Sequence, residues 1–349
     1  MEYKKLGKTD LRLSAIGLGT FAIGGTMWGG TDTDKAISAI HAAIDQGVTT
    51  IDSAPFYGLG LSEELIGEAI KGKDRTKLQL LTKFGMVWDG SNNGKGDFMF
   101  NIDNYGQNYS LYNYASKESV VKETEESLKR LDTDYIDLLQ IHWNDPTTPI
   151  DETMEAMQKL IDQGKILAAG VCNYNAAQMK TAQENIMIAS NQVPYSMLTR
   201  GVEHEIIPCA VKEKIGIIVY TPLERGLLTG KYFMGARLKP NDHRNDYFNH
   251  FHLEKIKTFL DRIEPMANEK NATLAQLVLR WTTLQPGICI VLAGARNAEQ
   301  AISNANAMAI SLNTDEINFI NSELINVNSS IGRKKSQIKW GEGGIAIWD

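Results

Sequence analysis

Cysteine is scarce in this chain, whose 349 residues include only Cys172, Cys209 and Cys289. An odd number of cysteines, with no Cys-x-x-Cys pair among them, argues against a disulfide framework. A chain of this length can bury a core large enough to be stable without disulfides or a bound metal. We therefore expect reduced, buried thiols and a single large domain.

Long apolar runs and clusters of like charge are also missing. No run of about 18 apolar residues offers a membrane span, and the opening Met-Glu-Tyr-Lys-Lys lacks the apolar stretch of a secretory signal. The formal net charge of −6 gives no indication of a basic face for nucleic acid. We expect a cytoplasmic protein that binds neither membranes nor nucleic acid and acts on a small molecule; nothing in the sequence predicts its oligomeric state.

Short segments rich in β-forming residues alternate with amphipathic helical segments along the chain. After a small N-terminal hairpin, the expected strands are 13–20, 49–53, 78–84, 135–142, 166–171, 191–195, 216–221 and 288–293. Such alternation requires parallel pairing, in an open doubly wound sheet or in a closed barrel, and eight units favour the barrel. The predicted fold is of the α/β class: a (β/α)₈ TIM barrel with an N-terminal β-hairpin and extra helices.

We expect residues 1–326 to form one barrel domain and residues 327–349 to form an irregular C-terminal tail. Two segments fall outside the eightfold pattern: 86–115 is rich in Gly, Asn, Asp and aromatics, and 238–251 is polar. Because both follow strands, both are predicted to lie over the catalytic face of the barrel.

Four polar residues end or follow expected strands: Asp52, Tyr57, Lys83 and His142. Neighbouring strands of a barrel bring such residues to one rim, where catalysis takes place. A tyrosine normally titrates near pH 10, but an ammonium at roughly 4 Å stabilises the phenolate by about 4 kcal/mol at an effective dielectric of ~20. We expect Lys83 to lower the pKa of Tyr57 into the working range, Asp52 to hold Lys83 charged, and His142 to orient a carbonyl oxygen.

These residues lie in the segments Asp52-Ser-Ala-Pro-Phe-Tyr57-Gly, Leu81-Thr-Lys83 and Asp137-Leu-Leu-Gln-Ile-His142-Trp. The segments resemble the catalytic tetrad of the aldo-keto reductases, and the resemblance extends from about residue 3 to residue 306. It implies NADP(H)-dependent reduction of an aldehyde or ketone to an alcohol, or the reverse, with Tyr57 as general acid/base. The chain is similar to a bacterial branch associated with sugar and inositol metabolism. It is also similar to the potassium-channel β-subunits, so a cofactor-binding sensor subunit without significant turnover is the alternative.

A Rossmann fingerprint is incomplete in Gly17-Leu-Gly19-Thr20-Phe21, which lacks the third glycine. The resemblance instead implies that Asn173 and Gln192 bind the nicotinamide carboxamide and that Tyr220 stacks on its ring. The full set of expected cofactor contacts is Gly19, Thr20, Phe21, Asp52, Cys172, Asn173, Gln192, Tyr220, Thr221, Pro222, Leu223, Arg225, Gly226, Lys231, Gly294, Arg296, Gln300 and Asn304. A guanidinium at Arg296 suits a ribose 2′-phosphate, which favours NADP(H), with NAD(H) as the alternative.

Aromatic residues are expected to line the substrate pocket, namely Trp28, Phe56, Trp88 and Trp143. Their faces suit sugars, polyols and aromatic aldehydes alike. Two positions depart from the family pattern: Cys172 replaces the usual serine, and Ser303 replaces a frequent glutamate. Three histidines, His243, His250 and His252, share one segment and raise the alternative of a metal hydrolase. Their spacing matches no zinc motif, so we expect no metal site.

Overall fold

The computed structural model describes residues 1–238, 242–328, 338–340 and 346–348. Eight parallel strands, labelled β1 to β8 in chain order, form a closed barrel in which each strand pairs with the next and β8 pairs with β1. They are β1 (Ile16–Gly19), β2 (Thr50–Asp52), β3 (Gln79–Phe84), β4 (Leu138–Ile141), β5 (Ala169–Cys172), β6 (Ile188–Pro194), β7 (Gly216–Tyr220) and β8 (Ile288–Gly294). The predicted (β/α)₈ barrel is confirmed.

Helices surround the barrel, and most of the longer ones are amphipathic. They span Phe21–Gly24, Thr33–Asp45, Leu61–Ile70, Lys117–Leu131, Ile150–Asp162, Ala176–Asn185, Ile206–Glu213, Arg244–Phe248, Leu253–Glu269, Leu274–Thr283, Ala298–Asn306 and Thr314–Asn328. Short 3₁₀ turns lie at Arg75–Lys77, Gly201–Glu203, Glu224–Thr229 and Ala307–Ala309. The helix ends follow from local side chains: Asn175 with Gln178, and Thr273 with Gln276, form reciprocal capping boxes. No helix among the described residues is both long enough and apolar enough to cross a bilayer.

The N-terminal hairpin, Tyr3–Lys5 paired with Arg12–Ser14, closes the bottom of the barrel. Leu6 and Leu13 are fully buried there and pack against inward-facing residues of the barrel strands. At Gly7, whose φ is +53°, a Cβ atom would lie 2.5 Å from the carbonyl oxygen of Ala189, so this close approach requires glycine. With the bottom plugged by apolar side chains, polar chemistry is confined to the other end.

Segment 86–115 forms a three-stranded antiparallel sheet of Met86–Val87, Asp97–Asn104 and Gln107–Asn113. Its inner side packs on the barrel mouth, where the ring of Phe100 meets that of Phe56 edge to face at 6.2 Å. Thr26 Oγ1 donates a 2.7 Å hydrogen bond to Asn104 Oδ1 and so ties this sheet to the loop after β1. The sheet therefore covers the catalytic face, as predicted for this segment.

Segment 238–251 carries the short helix Arg244–Phe248, and part of it lies outside the described residues. Near the C-terminus the last helix extends to Asn328, and Ile338–Trp340 pairs antiparallel with Ala346–Trp348. The rest of the expected tail at 327–349 lies outside the described residues, so the boundary between barrel domain and tail stays a prediction.

Candidate active site

The C-terminal ends of β2 and β3 bring three of the four predicted catalytic residues together. Lys83 Nζ donates hydrogen bonds to Asp52 Oδ1 at 2.7 Å, to the Ser53 carbonyl oxygen at 2.8 Å and to Tyr57 Oη at 3.2 Å. The three protons of the ammonium are thus all used, although Lys83 is only 1% exposed. A buried cation is tolerated here because a carboxylate and two further oxygens replace its water.

Asp52 is held from several sides. Its Oδ2 accepts hydrogen bonds from Gln192 Nε2 at 2.8 Å and from Gln140 Nε2 at 3.4 Å, while its main-chain oxygen accepts from the N–H and hydroxyl of Thr20. Sequence reasoning missed Gln140, although a glutamine inside the apolar run of β4 was a visible signal. It assigned Gln192 only to the cofactor. In the structure the Gln192 amide group also fixes the carboxylate that orients Lys83.

The expected pKa of Tyr57 is wrong. Burial raises the pKa of Tyr57 to about 12, because desolvation of the phenolate outweighs the attraction of the Lys83 ammonium. The expectation took the attraction of the ammonium to exceed the opposing cost of removing the phenolate from water, and in the buried site that cost is the larger of the two. Burial also works against the Lys83 ammonium, but Asp52 and Tyr57 more than compensate and raise the pKa of Lys83. At neutral pH the pair is a phenol beside an ammonium.

His142 follows β4 and completes the predicted set of four. Its ring centroid lies 5.9 Å from that of Tyr57, with the rings close to perpendicular. Burial and the nearby Lys83 charge hold the pKa of His142 well below its ordinary value, so the imidazole is neutral at pH 7. A neutral imidazole can donate one N–H to a substrate oxygen without adding a competing positive charge.

The ends of β5 and β7 place several expected cofactor contacts beside this group. Cys172 is buried and lies near enough to Lys83, Asp52 and Tyr57 to interact with them electrostatically. Asn173 adopts a left-handed conformation with φ of 61°; its Nδ2 donates to the His142 carbonyl oxygen at 3.1 Å, and its Oδ1 accepts from Tyr220 Oη at 2.9 Å. These bonds align Asn173 and Tyr220 on the rim next to the proposed proton donor.

The loop after β7 contains the expected contacts Thr221, Pro222, Leu223, Arg225 and Gly226, followed by Lys231. Thr221, Glu224 and Arg225 all have positive φ, and this compact turn is held by a residue that the sequence did not single out. The carboxylate of Glu224 is fully buried and accepts hydrogen bonds from Ser196, Thr199 and Tyr247. Glu224 therefore fastens the loop to two neighbouring segments.

Arg296, expected to bind a 2′-phosphate, is engaged elsewhere in this structure. Its Nη1 donates to the Trp28 carbonyl oxygen at 3.0 Å, and its Nη2 donates to that of Gly30. Gln300 accepts from the Arg296 main-chain N–H at 2.9 Å, and Asn304 Nδ2 donates to the Gly294 carbonyl oxygen at 3.0 Å. The expected adenosine residues are thus gathered after β8, with the guanidinium turned toward the loop after β1.

Most of the expected pocket residues belong to the apolar cluster that contains Tyr57. Phe56, Trp88 and Trp143 belong to one apolar cluster with Phe21 and Tyr57. The Phe21 ring lies 4.8 Å from that of Tyr57 and 5.7 Å from that of Trp28, so this expected cofactor contact also packs against the expected pocket residues. Phe100, from the inserted sheet, belongs to the same cluster, and sequence reasoning did not single it out.

The donor set on this face fits an anionic dinucleotide. The amide groups of Asn173 and Gln192 and the ring of Tyr220 lie beside the catalytic group. The cations of Arg225, Lys231 and Arg296 lie on the loops that follow β7 and β8. Among the described residues, no group of three or more His, Cys, Asp or Glu side chains is arranged to hold a metal ion.

A parallel barrel with a buried Asp, Lys and Tyr group and a neighbouring His at its mouth defines a class of oxidoreductases. The sequence profile of the Aldo/keto reductase family matches residues 15–324, and the chain belongs to this family.

The relatives cover nearly the whole chain. It is 40% identical over 335 residues to the aldo-keto reductase YhdN of Bacillus subtilis (strain 168), which covers 94% of this chain and 95% of that protein. It is 35% identical over 315 residues to the NADH-specific methylglyoxal reductase of Escherichia coli (strain K12), and the match covers 88% of this chain and 93% of that protein. Among solved structures, the glycerol dehydrogenase AKR11B4 of Gluconobacter oxydans superposes with a TM-score of 0.82 at 34% identity. The match covers 93% of this chain and 95% of that structure.

Proposed function

We propose that this protein interconverts a carbonyl compound and its alcohol with a nicotinamide cofactor, and that Tyr57 transfers the proton. The supporting observation is the Lys83 ammonium, which lies 3.2 Å from Tyr57 Oη and 2.7 Å from Asp52 Oδ1. In the reducing direction, Tyr57 donates its proton to the substrate oxygen as the alcohol forms. The phenolate that remains is stabilised by Lys83, whose charge Asp52 maintains.

The protonation states suit this direction. With a pKa of about 12, Tyr57 carries its proton throughout the neutral range and is available as a donor. The neutral His142 can donate a second hydrogen bond to the same oxygen, which orients the carbonyl group and stabilises the charge that develops on it. In the oxidising direction the same residues work in reverse, with Tyr57 accepting the proton from the alcohol.

A bound nicotinamide supplies a hydride to the carbonyl carbon or takes one from the alcohol carbon. We assign Asn173 and Gln192 to the carboxamide and Tyr220 to the face of the ring. Arg225 and Lys231 would offset the charge of the pyrophosphate, and Arg296 that of a ribose 2′-phosphate.

We propose NADP(H) as the cofactor and keep NAD(H) as the alternative. The guanidinium of Arg296 supports NADP(H), but its two bonds to the Trp28 and Gly30 carbonyl oxygens must be exchanged or shared when a phosphate binds. A relative named as an NADH-specific enzyme supports the alternative.

The substrate class we propose is a sugar-derived or polyol-derived carbonyl compound. The aromatic wall around Tyr57 offers flat faces to carbon-bound hydrogens, and one structural relative is a glycerol dehydrogenase, an enzyme named for a polyol. We place the reaction in the cytoplasm, because the free thiols of Cys172, Cys209 and Cys289 suit a reducing compartment.

The proposed activity is tested by following cofactor absorbance with the wild-type protein and a panel of aldehydes, ketoses and aldoses, using NADPH and NADH in parallel. We expect steady oxidation of at least one cofactor with several aldehydes. If cofactor binds tightly but no compound across the panel is reduced, and no polyol is oxidised with NADP or NAD, the sensor-subunit alternative is correct and the proposed function is wrong.

A further inference from the structure

The helix Leu61–Ile70 begins shortly after Tyr57 along the chain. Its residue Ser62 is fully buried, so it cannot contact a substrate or a cofactor. The Ser62 N–H donates a 3.1 Å hydrogen bond to the Tyr57 carbonyl oxygen. Ser62 Oγ lies 2.9 Å from Ser53 Oγ and 2.7 Å from Thr20 Oγ1. One buried serine therefore holds the main chain of the proposed proton donor and contacts two further hydroxyl groups.

The direction of the hydroxyl contacts follows from the group on which they end. The Asp52 carbonyl oxygen can only accept, so Thr20 Oγ1 donates its proton to that oxygen, at 2.9 Å. Because each hydroxyl group has one proton, Thr20 must then accept from Ser62, and Ser62 must accept from Ser53. The three buried hydroxyl groups form a directed chain that starts at Ser53 and ends on the main chain of Asp52.

This chain holds the groups that surround the Lys83 ammonium. The three oxygens bonded to Lys83 Nζ are the Asp52 carboxylate, the Ser53 carbonyl oxygen and the Tyr57 hydroxyl group. Ser62 binds the side chain of Ser53 and the main chain of Tyr57 directly. It reaches the main chain of Asp52 through one intervening hydroxyl group. All three residues around the ammonium are thus tied to Ser62.

The start of the helix is in turn fixed to β3, the strand that carries Lys83. Glu63 is fully buried; its Oε2 accepts from Arg130 Nε at 2.7 Å, and its Oε1 accepts from the hydroxyl group of Thr82, the residue before Lys83. Breaking this pair would leave a buried carboxylate without its cation, so the helix start is firmly held. Ser62 is therefore a fixed reference point for Lys83. Such positions matter, because a displacement of about 1 Å at reacting groups can cost about 100-fold in rate.

We propose that Ser62 is a positioning residue for the proton transfer. Its hydroxyl group sets the place of the main chain at Asp52 and Ser53, and with it the place of the Lys83 ammonium beside Tyr57. This inference rests on the proposed function, because it takes Tyr57 as the proton donor and Lys83 as the group that stabilises its phenolate. Ser62 touches no reacting atom, so its hydroxyl group affects the reaction only through Lys83.

Two variants cut the hydroxyl chain at different points. Ser62→Ala removes the central hydroxyl group but keeps the main-chain N–H that binds Tyr57. Ser53→Ala removes only the first donor, and the bond from Ser62 to Thr20 stays in place. Because the chain is directed toward Asp52, the second variant should disturb the site less than the first.

Ser14→Ala is the matched control. Ser14 is fully buried as well, and its Oγ accepts from the N–H groups of Thr49 and Thr50 and donates to the Ile16 carbonyl oxygen. It lies in the hairpin at the bottom of the barrel, away from the catalytic face. Its loss should destabilise the fold, measured by urea denaturation, without moving Lys83.

The readout is the single-turnover rate of oxidation of bound cofactor by an aldehyde. Ser62→Ala should lower this rate about 10-fold to 30-fold, whereas Ser53→Ala and Ser14→Ala should stay within about threefold of the wild-type protein. Cofactor affinity, measured by fluorescence, should stay within about twofold in all three variants. A rate within about threefold of wild type in Ser62→Ala would overturn the inference, and so would an equal loss of rate in Ser14→Ala.

Combining Ser62→Ala with Lys83→Met tests the route of the effect. Without the ammonium the hydroxyl chain has nothing to position, so Ser62→Ala should change the rate of the Lys83→Met protein by less than about twofold. If it lowers that rate as much as it lowers the wild-type rate, Ser62 acts independently of Lys83 and the inference is wrong. Should Ser62→Ala fail to fold, Ser62→Cys takes its place in every arm, because a thiol fills the site but is a weak donor and acceptor.

The wild-type protein separates this inference from the proposed function. If it reduces aldehydes and the rate is insensitive to the Ser62 substitution, the inference fails while the proposed function stands. If it reduces no carbonyl compound at all, the proposed function itself has failed, and the inference with it.

Discussion

Replacing Lys83 by methionine isolates the charge that we assign to the stabilisation of the Tyr57 phenolate. Nζ lies 3.2 Å from Tyr57 Oη, and at an effective dielectric of ~20 Coulomb's law gives about 5 kcal/mol between an ammonium and a full phenolate. With about half of the negative charge developed in the transition state, the variant loses about 2.5 kcal/mol of stabilisation. We therefore expect kcat to fall about 70-fold.

The same substitution has a second effect, on folding. Asp52 is 2% exposed, and in Lys83→Met it is left without its cation. Removing one partner of a buried ion pair costs about 3 to 5 kcal/mol of the free energy of unfolding. The double variant Asp52→Asn with Lys83→Met removes both charges and should recover most of that stability. Its kcat should stay as low as that of the single variant, because the phenolate still lacks its ammonium.

Three measurements test this reasoning: stopped-flow oxidation of bound NADPH by an aldehyde, cofactor affinity by fluorescence, and urea denaturation. The single variant should bind cofactor nearly as well as the wild-type protein. A kcat within about threefold of wild type would refute the assigned role of Lys83. Recovery of kcat together with stability in the double variant would equally refute it, since the loss in the single variant would then come from misfolding.

Three further predictions concern pH, cofactor choice and stability. Because Tyr57 has a pKa of about 12 and keeps its proton below it, the rate of reduction with saturating cofactor should not change from about pH 6 to pH 9. A rate that falls with a midpoint near pH 7 would contradict the protonation state assigned to Tyr57. Arg296→Gln should raise KM for NADPH about tenfold and leave KM for NADH within about twofold, and equal effects on both would contradict the assignment of Arg296 to the 2′-phosphate. Glu123 accepts hydrogen bonds from the Gly85 N–H and the Ser119 hydroxyl, each at 3.0 Å, and burial raises its pKa to about 7. Its folded-state pKa lies above the unfolded value, so its contribution is complete below about pH 4.5 and is lost as pH rises through 7. Between pH 5 and pH 8 the wild-type protein should therefore lose about 2 kcal/mol more of its free energy of unfolding than Glu123→Gln does, as measured by urea denaturation. The same pH dependence in both proteins would contradict the role assigned to Glu123.

The barrel could be predicted from sequence because its signal is periodic. Strand and helix segments alternate eight times, and parallel pairing leaves few topologies. Strand ends were less accurate: β6 was expected to begin at residue 191 and begins at Ile188, where its register with the neighbouring strands is set by contacts distant in sequence. The expected first strand at 13–20 is divided between the hairpin and β1 for the same reason.

The candidate site was predictable where each residue sits at the end of a strand. Asp52, Lys83 and His142 follow directly from the barrel, since their strands are neighbours. Partners that come from distant loops were not predictable. His243 meets Met27 from 216 residues away, and the carbonyl oxygens bound by Arg296 are 266 and 268 residues away. The pKa of Tyr57 was missed because burial of the phenol, unlike the charge of Lys83, is not visible in the sequence.

The central claim is that the phenol of Tyr57 supplies the proton during reduction. The most direct measurement is the single-turnover rate of NADPH oxidation in Tyr57→Phe, with cofactor affinity measured on the same preparation. We predict a rate lowered by at least about 100-fold, the lower end of what a general acid contributes, with cofactor affinity within about twofold of wild type. A rate close to that of the wild-type protein would contradict the account, and so would a loss of rate matched by an equal loss of cofactor binding.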